Sequence, residues 1–142
     1  MRTKSLSLGI LTLFLLSFIL PVEAQEELQK LDSQEAALKW LKLMDEGRYN
    51  DSWDVASLTF RLTIPKKHWV ALMRQIRTPL GDIKQRAVVE QRPALNPKGL
   101  PEGKYMVIYF ETSFSEKSKA NELVTLVLES DGQWRILTYQ VQ

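Results

Sequence analysis

The sequence predicts an α+β domain in which three N-terminal helices pack on one face of a four-stranded antiparallel meander sheet. Two observations support this prediction. Apolar residues recur with a helical period up to Arg77, and from Ile83 onward they follow the two-residue period of a strand. Helices come first and strands afterwards, with short links between successive strands, which favours an antiparallel meander. Because no repeat or linker interrupts residues 25–142, a single domain is expected there.

The N-terminal 24 residues have the layout of a secretory signal peptide. Two basic residues precede an apolar run from Leu6 to Leu20, and a small-residue pattern ends at Ala24. Cleavage is therefore predicted between Ala24 and Gln25. The run is shorter than the roughly 20 apolar residues that span a bilayer, so no stable membrane anchor is expected after cleavage. The protein is predicted to be exported, to the periplasm or as a secreted protein.

The amino-acid composition limits the classes of binding partner that are expected for this protein. The chain has no cysteine, which excludes a disulfide framework and a lipid-modified cysteine. Its 19 basic and 17 acidic residues include Arg2, Lys4 and Glu23 in the signal segment, so residues 25–142 carry a net charge of only +1. An obligatory nucleic-acid or anionic-membrane partner would require a larger positive excess. Neither partner is predicted.

The first helix is predicted to begin at Asp32, which forms a capping-box pattern with Glu35, and to end at Gly47. The second begins at Asn50 or Asp51 and continues to Ala56. The third follows Thr63 as N-cap with Pro65 in its first turn, and the pair Thr78-Pro79 ends it. Its apolar residues recur at helical spacing, namely Trp69, Leu72, Met73 and Ile76.

Four strands are predicted after the helices. Apolar residues occupy both faces of the second strand, which places it inside the sheet. Asp131-Gly132 is a two-residue hairpin signal, and a connection rich in proline and glycine separates the first two strands. The predicted strands are Ile83–Glu90, Tyr105–Phe114, Leu123–Glu129 and Trp134–Val141.

Several spaced motifs resemble a family of small exported bacterial proteins, domain of unknown function number 4019. These motifs are Trp40-Leu41-x-x-Met44-Asp45-x-Gly47-x-Tyr49-x-x-Ser52-Trp53, Arg77-Thr78-Pro79-Leu80-Gly81 with Arg86, and Asp131-Gly132-x-Trp134-Arg135. The resemblance implies no activity. The order of elements is also similar to the cone-shaped nuclear-transport-factor-2-like fold. That fold places short strands between its second and third helices, and only Leu58–Leu62 is available for them here, so a simpler helices-on-sheet arrangement is the alternative.

The sequence contains no catalytic signature. The sequence lacks a nucleophile elbow, a phosphate-binding glycine loop and a zinc-binding His-Glu-x-x-His motif, and His68 is its single histidine. The acidic group of Asp45, Glu46, Asp51 and Asp54 does not have the spacing of a calcium loop. No metal and no cofactor are predicted.

Six residues are candidate ligand-binding residues, either as aromatic pocket walls or as anion-binding arginines: Trp40, Tyr49, Trp53, Arg77, Arg86 and Tyr109. Each has a structural alternative. The aromatic residues fit the apolar core pattern, and arginines near a helix end often neutralise terminal carbonyls.

The leading functional hypothesis is a non-enzymatic module that binds an envelope protein or a small molecule. The alternative is a small cavity enzyme of isomerase, lyase or hydrolase type, which uses a buried carboxylate or Tyr, with Asp54 and Tyr109 as candidates. A closed pocket near Trp40, Trp53 and Tyr109 would favour the enzyme, whereas a filled interior would argue against it. A homodimer formed through an exposed sheet face is a further hypothesis.

Overall fold

The computed structural model describes residues 20–142, and the α+β class is confirmed. Most of the predicted signal segment, residues 1–19, lies outside the described residues. The helices are α1 (Val22–Asp45), α2 (Tyr49–Asp54), α3 (Leu58–Thr63) and α4 (Lys66–Arg77), and a 3₁₀ turn follows at Thr78–Leu80. The strands are β1 (Ile83–Leu95), β2 (Lys104–Phe114), β3 (Ala120–Leu128) and β4 (Trp134–Val141).

Helix α1 begins ten residues earlier than the capping pattern predicted. Pro21 is its N-cap, and Asp32 lies within the helix, so the predicted cap at Asp32 is wrong. The residues from Val22 to Leu31 are mostly Glu, Gln, Leu and Lys, which have high helix propensity and extend the helix beyond the core-facing part. The predicted cleavage site therefore falls in the first turn of α1, and cleavage itself stays a prediction.

The end of α1 is as predicted. Gly47 has a φ of 69°, its N–H donates to the Met44 carbonyl, and the N–H of Arg48 donates to the Leu43 carbonyl. This pair of hydrogen bonds is a Schellman motif, which needs a residue in the left-handed region. Glycine satisfies that requirement without steric cost.

The main difference from the predicted helices is α3, a short fourth helix. Residues 58–62, the only residues available for the extra strands of a cone, are helical here because the Ser57 hydroxyl caps the Phe60 N–H. Thr63 ends α3, and Pro65 is the N-cap of α4, so the predicted Thr63 cap is wrong. Helix α2 begins at Tyr49, one or two residues before the predicted caps.

The sheet is the predicted antiparallel meander, with strand order β1-β2-β3-β4. Strand β1 continues past the predicted end at Glu90 and includes Pro93. An edge strand tolerates proline where the missing N–H would face solvent. Met106, Ile108 and Phe110 of β2 are buried in one core with the helices. Within residues 20–142 no helix is long and apolar enough to cross a membrane.

Candidate functional site

A buried ion cluster joins the end of α1 to the sheet. Asp45, near the end of α1, accepts hydrogen bonds from Arg77 of α4 and from Arg86 of β1. The Arg77 Nη2 atom lies 2.6 Å from Asp45 Oδ1. Arg86 binds the same carboxylate with two nitrogens, at 2.8 Å and 2.9 Å. The structure thus brings two of the predicted site residues, Arg77 and Arg86, together on the carboxylate of Asp45.

Glu122 extends the cluster into the middle of the sheet. Its side chain is fully buried, and it accepts hydrogen bonds from Arg86 Nε at 2.6 Å, Thr112 Oγ1 at 2.7 Å and Tyr139 Oη at 2.6 Å. Glu122 was not a predicted site residue. A glutamate at an inward-facing position of a strand is the sequence signal that could have revealed it, because buried carboxylates require partners.

The cluster is electrically balanced, with two arginines and two carboxylates. Burial acts to lower the pKa of Arg86, but its hydrogen bonds with Asp45 and Glu122 raise that pKa above the ordinary value. Burial, and next the charge of Glu122, raise the pKa of Tyr139, so its hydroxyl stays protonated and donates to the carboxylate. Together these effects favour a closed network of paired charges.

Arg77 is less completely satisfied than Arg86. Its guanidinium lies 4.5 Å from the centre of the Phe114 ring, an arrangement that favours a cation. Within the described residues, its Nε and Nη1 atoms are buried and have no hydrogen-bond partner. The Arg77 side chain therefore retains donors that no protein group uses.

Aromatic side chains fill the interior between the helices and the sheet. The ring of Trp40 lies 6.0 Å from Trp69 and 5.4 Å from Tyr139. Ser52 satisfies both indoles, because its carbonyl accepts from Trp40 Nε1 and its hydroxyl from Trp69 Nε1. Buried indole N–H groups usually need such partners, and here they hold the tryptophans as core residues.

The other predicted aromatic residues lie apart from one another. Tyr49 is buried in α2, and the Trp53 indole donates to the Ile64 carbonyl. Tyr109 lies on the face of β2 that points away from the helices, with the guanidinium of Arg92 5.3 Å from its ring centre. The six candidate residues therefore do not converge on one pocket.

A groove opens between α1, the start of α2 and the turn that joins β3 to β4. We call it the α1–hairpin groove, and its volume is about 720 Å³. Trp40 lies at its buried side and half-buried Trp134 at its hairpin side. The charged strip of α1 and the Asp-Gly hairpin followed by a tryptophan were visible in the sequence, but their proximity was not. The polar and charged residues that line the groove are Asp32, Glu35, Lys39, Arg48, Asp51, Gln133 and Arg135.

Ion pairs hold the arginines at both ends of the groove. Arg48 pairs with Asp51 at 2.7 Å, and Arg135 pairs with Asp131 and Glu129, each at 2.7 Å. The hydrogen bond from Arg135, followed by that from a backbone N–H, lowers the pKa of Asp131 to about 2. The charges at each end therefore have partners within the protein.

The charged residues in the middle of the groove differ from those at its ends, because they lack ion-pair partners among the described residues. Across the described part of the chain, Asp32, Glu35 and Lys39 take part in no ion pair, and all three are exposed. Their charged ends are available to a ligand in the groove.

The predicted acidic group does not form a metal site. Asp54 pairs with Lys66 at 2.6 Å, and Asp45 and Asp51 pair with arginines. Over residues 20–142, no three His, Cys, Asp or Glu side chains are arranged to hold a metal ion.

The sequence motifs described above lie within the range that a protein-family model matches. A family model described as "Protein of unknown function (DUF4019)" matches residues 36–139. The chain belongs to this family. The matched range includes the four cluster residues with charged side chains and much of the α1–hairpin groove. None of the curated proteins matches the chain significantly.

A solved structure shows a similar fold. A 2.5 Å structure from Catenulispora acidiphila superposes with a TM-score of 0.56 at 12% identity, covering 84% of this chain and 94% of that one. At this identity the likeness concerns the fold alone. The relationship to cone-shaped domains stays a prediction.

Proposed function

We propose that this DUF4019 member is an exported, non-enzymatic binding domain of the bacterial cell envelope, and that the α1–hairpin groove holds its ligand, a segment of an envelope protein or a small molecule. One observation carries the proposal. The groove combines the half-buried Trp134 with three charged side chains that form no ion pair within residues 20–142, those of Asp32, Glu35 and Lys39. Concave sites with an aromatic wall and a few free polar groups are typical of ligand binding.

The interior supports a binding role over the cavity-enzyme alternative. An enzyme of that kind needs space beside a buried carboxylate or Tyr. The buried carboxylate is Glu122, and three protein donors already bind it. A closed pocket beside Trp40 would have favoured the enzyme, but the Trp40 ring packs against Trp69 and Tyr139.

The first 24 residues support export, because basic residues precede an apolar run there. Mass spectrometry tests this proposal. The protein recovered from the envelope fraction is expected to begin at Gln25. Ala24→Arg, which places a large charged residue before the scissile bond, is expected to leave the precursor uncleaved. The matched control, Ala71→Arg, changes an exposed residue of α4 far from the processing site and should yield the same N-terminus as the natural chain.

Site-specific photo-crosslinking tests the groove. A photoreactive amino acid is placed at Lys39 or at Trp134 in the full chain, and the cells are illuminated. Adducts of defined mass are expected at these two positions. Lys84, exposed on β1 and distant from the groove, serves as the control position.

A second variant separates specific binding from chance contact. Glu35→Lys reverses a free charge inside the groove and is expected to reduce the Lys39 adduct about tenfold, because a complementary ligand charge would be repelled. Equal adduct yields at Lys39 and Lys84, or yields that do not change with Glu35→Lys, would contradict the proposed site.

A further inference from the structure

Strand β4 is an edge of the sheet, and part of its backbone is unused. The N–H and C=O groups of Gln142 both bond to Asn121, which makes these two residues a hydrogen-bonded pair. In an antiparallel ladder such pairs alternate with pairs whose backbone groups point outward. Val141 and Tyr139, which lie opposite Glu122 and Val124, are therefore outward-pointing. Apart from bonds within the sheet itself, no backbone group within residues 20–142 bonds to their N–H or C=O groups.

Only the first part of this edge is covered. The outward carbonyl of Ile136 accepts a hydrogen bond from the Ser57 N–H at the start of α3. Beyond that point, a groove of about 360 Å³ follows the strand, with Leu72 and Ile76 of α4 on its far wall. All six consecutive residues Leu137–Gln142 line this groove. Because neighbouring residues of a strand point to opposite faces, a groove that touches all of them must run along the edge.

The two edges of the sheet differ in their protection against pairing. Strand β1 has two register shifts, and it carries Lys84 and Pro93. Bulges, lysines and prolines are the features that prevent edge strands from pairing with other chains. Strand β4 has one register shift, at Leu137, and beyond it the edge Thr138–Val141 has no charged residue, no proline and no further shift. An unprotected edge of this composition accepts another strand.

We propose that a second copy of this chain pairs with the β4 edge. Tyr139 and Val141 lie symmetrically about Gln140, so a two-fold axis at Gln140 would place Tyr139 of one copy opposite Val141 of the other. Each of these two symmetric pairs exchanges two hydrogen bonds, and the two four-stranded sheets become one continuous sheet. The edge is uncharged from Ile136 to Val141, so two copies can meet there in an isologous interface without like charges opposite each other.

A single cysteine tests the register. The chain has no cysteine, so Gln140→Cys introduces the only thiol. Gln140 faces away from the helices and is exposed. The two Gln140 positions would face each other as a non-hydrogen-bonded pair, whose Cα atoms are about 4.5 Å apart, within reach of a disulfide. Mild oxidation is expected to give a covalent dimer, whereas the control Ala87→Cys on β1 should remain monomeric on a non-reducing gel.

Charge variants test the same contact without a covalent bond. Gln140→Lys and Gln140→Glu are each expected to raise the dimer dissociation constant about fivefold, because like charges would stand directly opposite each other. An equimolar mixture of the two variants should return to the natural constant or below it. Ala87→Lys, the control on the opposite edge, should leave dimerisation unchanged.

Analytical ultracentrifugation of the natural protein and these variants decides the outcome. A natural protein that is monomeric at every accessible concentration would overturn the proposal. The same monomeric result is expected if β4 pairs with a different polypeptide instead. The proposal would also be overturned if the dimers of Gln140→Lys and Gln140→Glu were as stable as the natural dimer. The contact between copies would then lie elsewhere.

Discussion

Arg86 and Asp45 form a bidentate ion pair that joins edge strand β1 to the end of α1, with N–O distances of 2.8 Å and 2.9 Å. The two residues are 41 positions apart in the chain. Planar guanidinium and carboxylate groups match in this geometry, which lysine cannot reproduce. The pair fixes the orientation of the longest helix relative to the strand with the fewest buried residues.

Asp45→Asn is expected to lower the free energy of unfolding by about 3–5 kcal/mol, because it leaves buried Arg77 and partly buried Arg86 without their shared carboxylate. Urea denaturation monitored by tryptophan fluorescence measures the change. Asp54→Asn, which removes an exposed pair with Lys66, is the control and should cost less than about 1 kcal/mol. Equal losses in the two variants would contradict a stabilising role for the buried cluster.

Ser52→Ala is expected to lower stability by about 1–3 kcal/mol, since the buried Trp69 indole N–H would lose the Ser52 hydroxyl that accepts it. Near-ultraviolet circular dichroism should show the altered indole environment alongside the stability loss. Thr63→Ala, at an exposed hydroxyl bonded to Thr59, should change stability by less than about 0.5 kcal/mol. An unchanged aromatic spectrum in Ser52→Ala would argue against the hydrogen bond.

The pKa of the Asp131 carboxyl is expected at about 2 in the folded protein, chiefly because Arg135 donates hydrogen bonds to it. This pKa lies below the ordinary value of about 4, so the interaction contributes stability above that pH and is lost as the pH falls towards 2. An NMR titration of the side-chain carboxyl measures it. Arg135→Gln should move the midpoint back towards the ordinary value, and Arg92→Gln should leave it unchanged.

Gly81→Ala is expected to destabilise the protein more than Gly47→Ala. Both glycines have positive φ angles, of 76° and 69°, and alanine is strained in that region by about 1–2 kcal/mol. A Cβ atom at Gly81 would also overlap the Ser115 hydroxyl, which accepts a hydrogen bond from the Asp82 N–H. The space around Gly47 is open. Thermal unfolding compares the two variants, and equal melting temperatures would contradict the close approach at residue 81.

Local patterns in the sequence were sufficient for the fold class. The change of period at Ile83 predicted the order of helices and strands, and Gly47 and Asp131-Gly132 marked the positions of two turns. The predicted two-residue hairpin at Asp131-Gly132 is wrong, because β3 ends at Leu128 and a hydrogen bond from the Glu129 N–H to the Gln133 carbonyl closes a longer loop. The predicted helix boundaries were wrong where more than one residue could serve as an N-cap. Asp32 resembles an N-cap, but the helix-favouring residues before it continue α1 back to Pro21. Ser57 caps α3 through a hydrogen bond that no hydrophobic period reveals.

By itself, the sequence determined the α+β class, the antiparallel meander and membership of a family, because these depend on the spacing of neighbouring residues. Only the tertiary structure decided that Arg77 and Arg86 share Asp45, that Glu122 lies beneath them, and that Tyr109 lies on the other face of the sheet. Such contacts join residues from different elements, and the packing of α1 against the sheet sets their distances. A period in the sequence specifies which face of an element is buried, but not which residue of another element meets it.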